Sequence, residues 1–463
     1  MRLYNGIRTI NGPCLPNVER LDAGAMPMII SMARTGLPVD LDHFARLERD
    51  LTDDMERITE QVKSDTGYYC NLDSGDQVAD LLFKKLGLKQ ARPKMTKSGY
   101  RESVEDEVLT AIQHDHPVVP QILEYKEFSK LRGTYVTPMP KLARSMGDGT
   151  WRMFPHFSTT RVPSGRLSCR DPNLLAMPTR TERGKDIRRG FIAPQGWKIV
   201  SVDYSQIEPR ITAHRSQDEN LLRVYRNKED IYSDFAIAAF KIKDERFQDK
   251  NGKWQYPGVH AMEHRYPAKT CVLATFYRVT AKGLLEQMPV VCANCNKEAT
   301  LHDCGRFRSL WTEDKCQGLI NTFFLRYPGV LKMWSEDDKR ARRNGYLWDM
   351  WGRILHTAAV RSVLPWVVQA ALREAGNFPI QSGAQGCLKL SMAAVQDDLI
   401  AAGLLEIIRP LLQVHDELLF LCRDDLVEDC GAITAYRFEN LVPLSIPVKA
   451  GVAVAQNWGD LEK

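Results

Sequence analysis

The sequence predicts an α+β protein, a small antiparallel sheet set among helices, on three observations. Trp197-Lys198-Ile199-Val200-Ser201-Val202 is apolar and β-branched, and reads as a buried strand that ends at Asp203. Far downstream, Leu411-Leu412-Gln413-Val414 and Leu418-Leu419-Phe420 flank His415-Asp416-Glu417, a pattern that suits the turn of a β-hairpin. Elsewhere apolar residues recur at threes and fours, as in Phe44, Leu47, Leu51, Met55, Ile58 and Val62, which marks one buried helical face.

A chain of 463 residues implies two or three structural units with ample core. At 44% hydrophobic and 26% charged, the composition is that of an ordinary soluble protein. No apolar run is long enough to span a bilayer, and Met1-Arg2-Leu3-Tyr4-Asn5-Gly6 lacks the apolar core of a signal peptide. A cytoplasmic, reducing setting is therefore expected, without membrane contact. The net charge of +5 says little about partners. Local clusters say more: Lys89, Arg92, Lys94, Lys97 and Arg101 form one, and Lys339, Arg340, Arg342 and Arg343 another. Either serves as a phosphate-binding face or as a merely solvated one.

In the first part, residues 1–20 read as an irregular lead-in. Helices are expected over 22–34, stopping at Gly36, and over 40–63. Asn71-Leu72-Asp73-Ser74 caps a further helix through Val78, Leu81, Leu82 and Leu86. Lys89 to Arg101 reads as an exposed loop, and 118–132 as a helix ending near Gly133.

Asp203 and Asp416 carry the chemistry. A carboxylate at the tip of a buried strand is costly unless paired, and a hard divalent cation suits it. Either aspartate alone is as well explained as an ordinary turn residue. Together they could hold two metals about 3.5–4 Å apart, which clamp the attacking and leaving oxygens of a phosphoryl transfer.

A second constellation is Arg265, Lys269, Leu273 and Tyr277, one slanting stripe at steps of four. Pro267 requires the helix to start nearby, which puts Arg265 and Lys269 where the helix dipole favours anions. Such a helix could bind a triphosphate at one end and stack a base at the other; the plainer reading is an amphipathic helix with a basic rim. Cys292-Ala293-Asn294-Cys295, His302 and Cys304 have spacing that suits a structural zinc, with Cys316 as fourth ligand. Cys316 also lies on a helical core stripe with Ile320, Phe323 and Tyr327, so His302 is the rival ligand. Free thiols in a polar excursion are the alternative to zinc.

Asp203-Tyr204-Ser205-Gln206-Ile207-Glu208-Pro209-Arg210 resembles motif A of the family A DNA polymerases, the relatives of bacterial DNA polymerase I. Val414-His415-Asp416-Glu417 resembles their motif C, and the Arg265 stripe their motif B. Ser164-Gly165-Arg166-Leu167-Ser168 with Asp171-Pro172-Asn173-Leu174, and Arg373-x-x-x-Asn377-x-Pro379-x-Gln381, resemble two further blocks. Asn71 to Leu88 and Lys130-Leu131-Arg132-Gly133-Thr134-Tyr135 resemble the family's thumb, and Asn457-Trp458 its ending.

The resemblance implies a right-hand fold with an antiparallel-sheet palm and helical fingers and thumb. The thumb would span 21–150, the palm 151–212 and 346–463, and the fingers 213–345, with a Cys-rich insert at about 289–311. It implies a polymerase module without a proofreading exonuclease, in a bacterial cell or a phage infecting one. Its partners would be primer–template DNA and dNTPs, with an exonuclease or processivity protein supplied separately.

By the same resemblance, Asp203, Asp416 and the Tyr204 carbonyl would hold two Mg²⁺, with Glu417 in support and Lys269 as general acid. Gln206, Glu208, Tyr232, Arg265, Lys269, Leu273 and Tyr277 would meet the nucleotide, with Glu208 blocking a 2′-hydroxyl. Lys130, Tyr135, Arg166, Asn173, Arg180, Arg373, Asn377, Gln381 and His415 would meet DNA. The sequence departs from the family at Ser164, Pro209, Tyr232, Leu273, Arg278 and Ser382, where Thr, Leu, His, an aromatic, Gly and Gly are usual. A single-subunit RNA polymerase and a non-catalytic primer–template clamp are the competing readings. Glu208 and Glu417 argue against the first, and the intact Asp203, Lys269, Tyr277 and Asp416 against the second.

Overall fold

The computed structural model describes residues 15–89, 95–96, 99–100, 103–113, 115–178, 181–292, 307–442 and 444–461. The principal helices are α1 (Leu15–Thr35), α2 (Leu41–Thr66), α3 (Val118–Leu131), α4 (Ile207–Ser216), α5 (Ile231–Ala239), α6 (Tyr266–Phe276), α7 (Glu313–Arg326), α8 (Pro328–Asn344), α9 (Pro365–Ala401) and α10 (Val427–Asn440). The largest sheet has β1 (Trp197–Tyr204), β2 (Ile408–Val414), β3 (Glu417–Arg423) and β4 (Ala450–Ala455), in the order β2-β3-β1-β4. All three pairings are antiparallel, so the strand and the hairpin read from sequence lie side by side.

The sheet separates two cores by the two-residue period of its strands. Val200, Val202 and Tyr204 of β1, with Leu418 and Phe420 of β3, face α1, α9 and α10. Ile199, Leu419 and Leu421 face the other way, into the core that includes the α2 and α3 residues Phe44, Leu51, Ile122 and Phe128. Ser201 and Asp203 share the phase of Ile199, which carries both polar groups onto one face at the end of the strand.

In α2, Asp40 accepts from the His43 amide and Gly67 closes the other end, so the helix runs one turn beyond the expected 40–63. Its six expected apolar positions are all buried. Ser74 caps the next helix as expected, and α3 runs on through Gly133 as a π-helical turn, Arg132–Val136. Most of the basic segment 89–101 lies outside the described residues.

Around α6 a third core gathers Phe235, Val272, Leu284, Cys316, Phe323 and Tyr327. It is anchored by a buried ionic cluster. Asp234 accepts from Arg223, Arg246, Arg326 and the Tyr327 hydroxyl, while Glu229 accepts from Arg223 and Arg246.

The sequence reads as a helix from Leu388 to Ile400, and α9 proves longer than that: a single 37-residue helix also takes in Pro379, Gly383 and Gly386, residues that ordinarily weaken one. Packing overrides the breakers. A Cβ on Gly386 would collide with the Trp351 indole, whose Nε1 donates to the Gly383 carbonyl at 2.9 Å. Gly386 thus permits a close approach, which offsets its poor helix propensity.

Candidate functional site

Two acids meet at the corner of the sheet. Asp203 and Glu417 are direct partners across β1 and β3, and the Tyr204 amide donates to the Asp416 carbonyl at 3.1 Å. His415 and Asp416 make the hairpin turn, with His415 in the left-handed region at φ 55°. Glu417 is buried and accepts from the Ser201 hydroxyl across the strand pair. Ser201 was not singled out by sequence; its signal is that it lies two residues before Asp203, on the same face. Tyr204 is buried, stacked on Phe438 with ring centroids 4.1 Å apart, and its hydroxyl bonds Ser391 at 2.8 Å. Its side chain is therefore structural.

Beside this corner opens a cleft of about 290 Å³, bordered by Arg166, Gln206, Glu208, Tyr277, Gln385, His415 and Asp416. Glu208, in the first turn of α4, ties the cleft together. It accepts from Arg166 at 2.6 Å and from the Tyr277 hydroxyl. Burial, then the Glu208 charge, push the Tyr277 phenol well above its ordinary pKa, so it stays a donor. Gln206 begins α4 at φ 55° and accepts from the Tyr225 hydroxyl at 3.2 Å. The His415 pKa is held below its ordinary value by burial and then by the Arg166 and Arg188 guanidinium groups. Arg188 and Gln385 escaped the sequence reading, because nothing in their local pattern marks them.

The stripe converges only in part as expected. A π-helical turn, Ala261–Arg265, precedes α6, and Arg265 donates to Asp230 at 2.8 Å. Its guanidinium lies 5.2 Å from the Tyr232 ring centroid, and Lys269 Nζ 5.8 Å from the same ring. Lys269 is exposed. Leu273 lines a small hollow with Glu208, Tyr277 and Asn377. The helix ends at Phe276, with Tyr277 as its C-terminal cap, and Tyr277 lines the same hollow as Leu273. Pro209 is buried against the same hollow.

The residues expected to meet DNA are spread along neighbouring surfaces. Lys130, Asn173 and Arg373 are exposed, and Gln381 is half-buried on α9. Asn377 donates to the Tyr277 carbonyl at 3.4 Å. Tyr135 donates to the Ala176 carbonyl at 2.7 Å, which gives it a structural contact. Arg180 lies outside the described residues.

The zinc set is divided. Cys295, His302 and Cys304 lie outside the described residues, and of Cys292 only the backbone is described, in a strand paired with Phe307. Cys316 is fully buried on α7 among Cys271, Ile320 and Phe323, the core stripe that sequence offered as its alternative role. Among the described residues no three His, Cys, Asp or Glu side chains cluster as a metal site. The acidic corner itself supplies two carboxylates, Asp203 and Asp416, with Glu417 alongside.

Comparison with known proteins covers the stretch that holds this site. The chain is 32% identical over 432 residues to the thermostable DNA polymerase I of Thermus aquaticus, covering 93% of this chain and 47% of the relative. It is 30% identical to DNA polymerase I of Chloroflexus aurantiacus, covering 96% of this chain and 43% of the relative. It thus spans about half the length of the curated relatives it matches. Among solved structures, the polymerase domain of Pol1 from M. smegmatis, in complex with DNA primer–template and dNTP, superposes with a TM-score of 0.80 at 27% identity. That match covers 95% of this chain and 70% of that one, and gives the architecture as the right-hand polymerase fold. The model of DNA polymerase family A matches residues 41–460, a stretch that takes in the acidic corner, the cleft and α6, and the chain belongs to that family.

Proposed function

We propose that the chain carries out template-directed DNA synthesis. The primer 3′-oxygen attacks the α-phosphate of a dNTP; a new P–O bond forms there while the bond to the β-phosphate bridge breaks and pyrophosphate leaves. The observation that carries this reading is the register of β1 and β3, which sets Asp203 and Asp416 at one corner beside a cleft closed by Glu208 and Tyr277. Family membership and the DNA and dNTP of the similar mycobacterial structure support it.

The donor set at the corner fits hard divalent cations, being carboxylate oxygens with a third acid held by Ser201. Asp203 and Asp416 would hold two Mg²⁺, with the Tyr204 carbonyl as a further donor. Bound there, the cations would lower the pKa of the 3′-hydroxyl and neutralise charge on the triphosphate. Arg265, fixed by Asp230, and Lys269 present positive charge near the start of α6, where triphosphate oxygens would be favoured. Lys269 would hand a proton to the departing pyrophosphate. Glu208, pinned by Arg166 and Tyr277, would fill the space a ribose 2′-hydroxyl needs. Arg166 and His415 would flank the primer terminus, where the minor-groove acceptors are alike for every correct pair.

The segments 21–150, 213–345 and the remainder would serve as thumb, fingers and palm. With Cys316 spent on packing, a zinc in the insert would take Cys292, Cys295, His302 and Cys304. Extension of a primed template with dNTPs and NTPs supplied separately tests the assignment. Mg²⁺-dependent extension with dNTPs is expected; preferential RNA synthesis, or DNA binding without extension, would overturn it.

A further inference from the structure

Arg278 directly follows Tyr277, at a position where glycine was expected, and its backbone has φ 60°. That region is unfavourable for a residue with a Cβ, so something must hold it there. The side chain is buried, and its guanidinium bonds to residues of two other helices. Its Nη1 donates to Asp338 on α8 at 2.5 Å and to the Leu372 carbonyl on α9 at 3.3 Å. Its Nη2 donates to the Trp334 carbonyl at 3.4 Å, and the guanidinium lies 4.9 Å from the Trp334 ring centroid. Room for it comes from Gly376: a Cβ there would collide with the guanidinium. The neighbouring Asn377 side chain grips the carbonyl of Tyr277.

We infer that Arg278 is a latch, fastening the C-terminal end of α6 to α8 and α9 and thereby holding Tyr277 against Glu208 for sugar selection. It is a positioning residue and reaches no substrate itself. A glycine at 278 would relax the backbone and remove the side-chain ties from this turn to α8 and α9, leaving the Asn377 bond to the Tyr277 carbonyl and the Tyr277 bond to Glu208. The ion pair with Asp338 is charge-assisted, with the guanidinium buried and the carboxylate half-buried at the rim. Gly376 and Arg278 are complementary: the small residue on α9 is the socket for the large one after α6.

The inference rests on reading the cleft as the nucleotide site, and two readouts keep that reading and the latch apart. In Arg278→Gly, Asp338→Asn and Gly376→Ala, kcat and KM are measured for a dNTP and the matching NTP on a primed template. Amide hydrogen exchange over residues 266–278 is followed in the same proteins without substrate. The latch predicts a rise in KM for the dNTP with a smaller change in kcat. It predicts a loss of about tenfold in dNTP-over-NTP preference, the scale of one lost packing contact in a selective pocket. It also predicts faster exchange over 266–278 in all three variants, and an Arg278→Gly/Asp338→Asn double variant no worse than the worse single. Unchanged preference and unchanged exchange in a folded Arg278→Gly variant would overturn it. If one substitution prevents folding, the other two decide. If wild type extends no primer, the nucleotide reading falls and the exchange pattern alone decides the latch.

Discussion

The Tyr277 hydroxyl donates to Glu208, joining the C-terminal cap of one helix to the first turn of another across the cleft. Arg166 holds the other carboxylate oxygen at 2.6 Å. The side chain is therefore fixed from two sides, which under the proposed function would keep it from swinging aside for a larger sugar. Glu208→Ala should let ribonucleotides in, raising the NTP-to-dNTP efficiency ratio by roughly tenfold or more. Single-nucleotide incorporation kinetics check this, and an unchanged ratio would remove Glu208 from sugar selection.

His415 should titrate below the ordinary histidine value of 6.5, because burial and two guanidinium groups disfavour its cation. The folded value is the lower one, so the group contributes nothing to the pH dependence of stability well above 6.5. Stability falls as pH drops below that value, since the unfolded chain takes the proton more readily. NMR titration of the imidazole gives the midpoint directly. Arg166→Gln should move it upward; a midpoint at or above the ordinary value in wild type would contradict the electrostatics described for the cleft.

Asp234 anchors the ionic cluster beneath α5 and α7. Burial favours its neutral form, but hydrogen bonds from Arg326, Arg246 and Arg223 outweigh that and hold its pKa far below the usual range. Its contribution is thus fully present above the ordinary carboxylate value and is lost as pH falls toward its depressed folded value. Asp234→Asn removes the one carboxylate that Arg326 shares with Arg223 and Arg246, leaving Glu229 to pair the latter two, and should cost on the order of 3 kcal/mol at neutral pH. Urea denaturation should show that gap narrowing below about pH 4. A variant as stable as wild type would show that the cluster is dispensable.

Much of this arrangement was legible in the sequence where a local rule and the tertiary fold agree. The β-branched run before Asp203 became β1, and the acids between two apolar runs became a hairpin turn. The period of α2 was legible because one face of it is buried along its whole length. What stayed hidden depends on partners distant in sequence. Ser201 gains its role only when β3 lies beside β1, and Arg188 only when the cleft forms. The full length of α9 stayed hidden because sequence does not show Trp351 packed against Gly386. Arg278 was visible as a departure from the family, but its buried partners on α8 and α9 were not.

Cys316 packs in an apolar core, the role that sequence offered as its alternative to zinc. Elemental analysis should find about one zinc per chain, since four ligands complete a tetrahedral site. Cys316→Ser should keep the metal, and Cys292→Ser should lose it. Zinc-free protein would leave the cluster as free thiols, and loss of zinc on changing Cys316 would contradict its placement on α7.

The most direct measurement is single-turnover primer extension by wild type, Asp203→Ala and Asp416→Ala, with primer–template binding followed in parallel. The account predicts Mg²⁺-dependent extension by wild type, and loss of extension in both variants by several orders of magnitude while DNA binding persists. Extension at the wild-type rate by either variant would contradict the claim that these two acids, brought together by the pairing of β1 and β3, carry the chemistry.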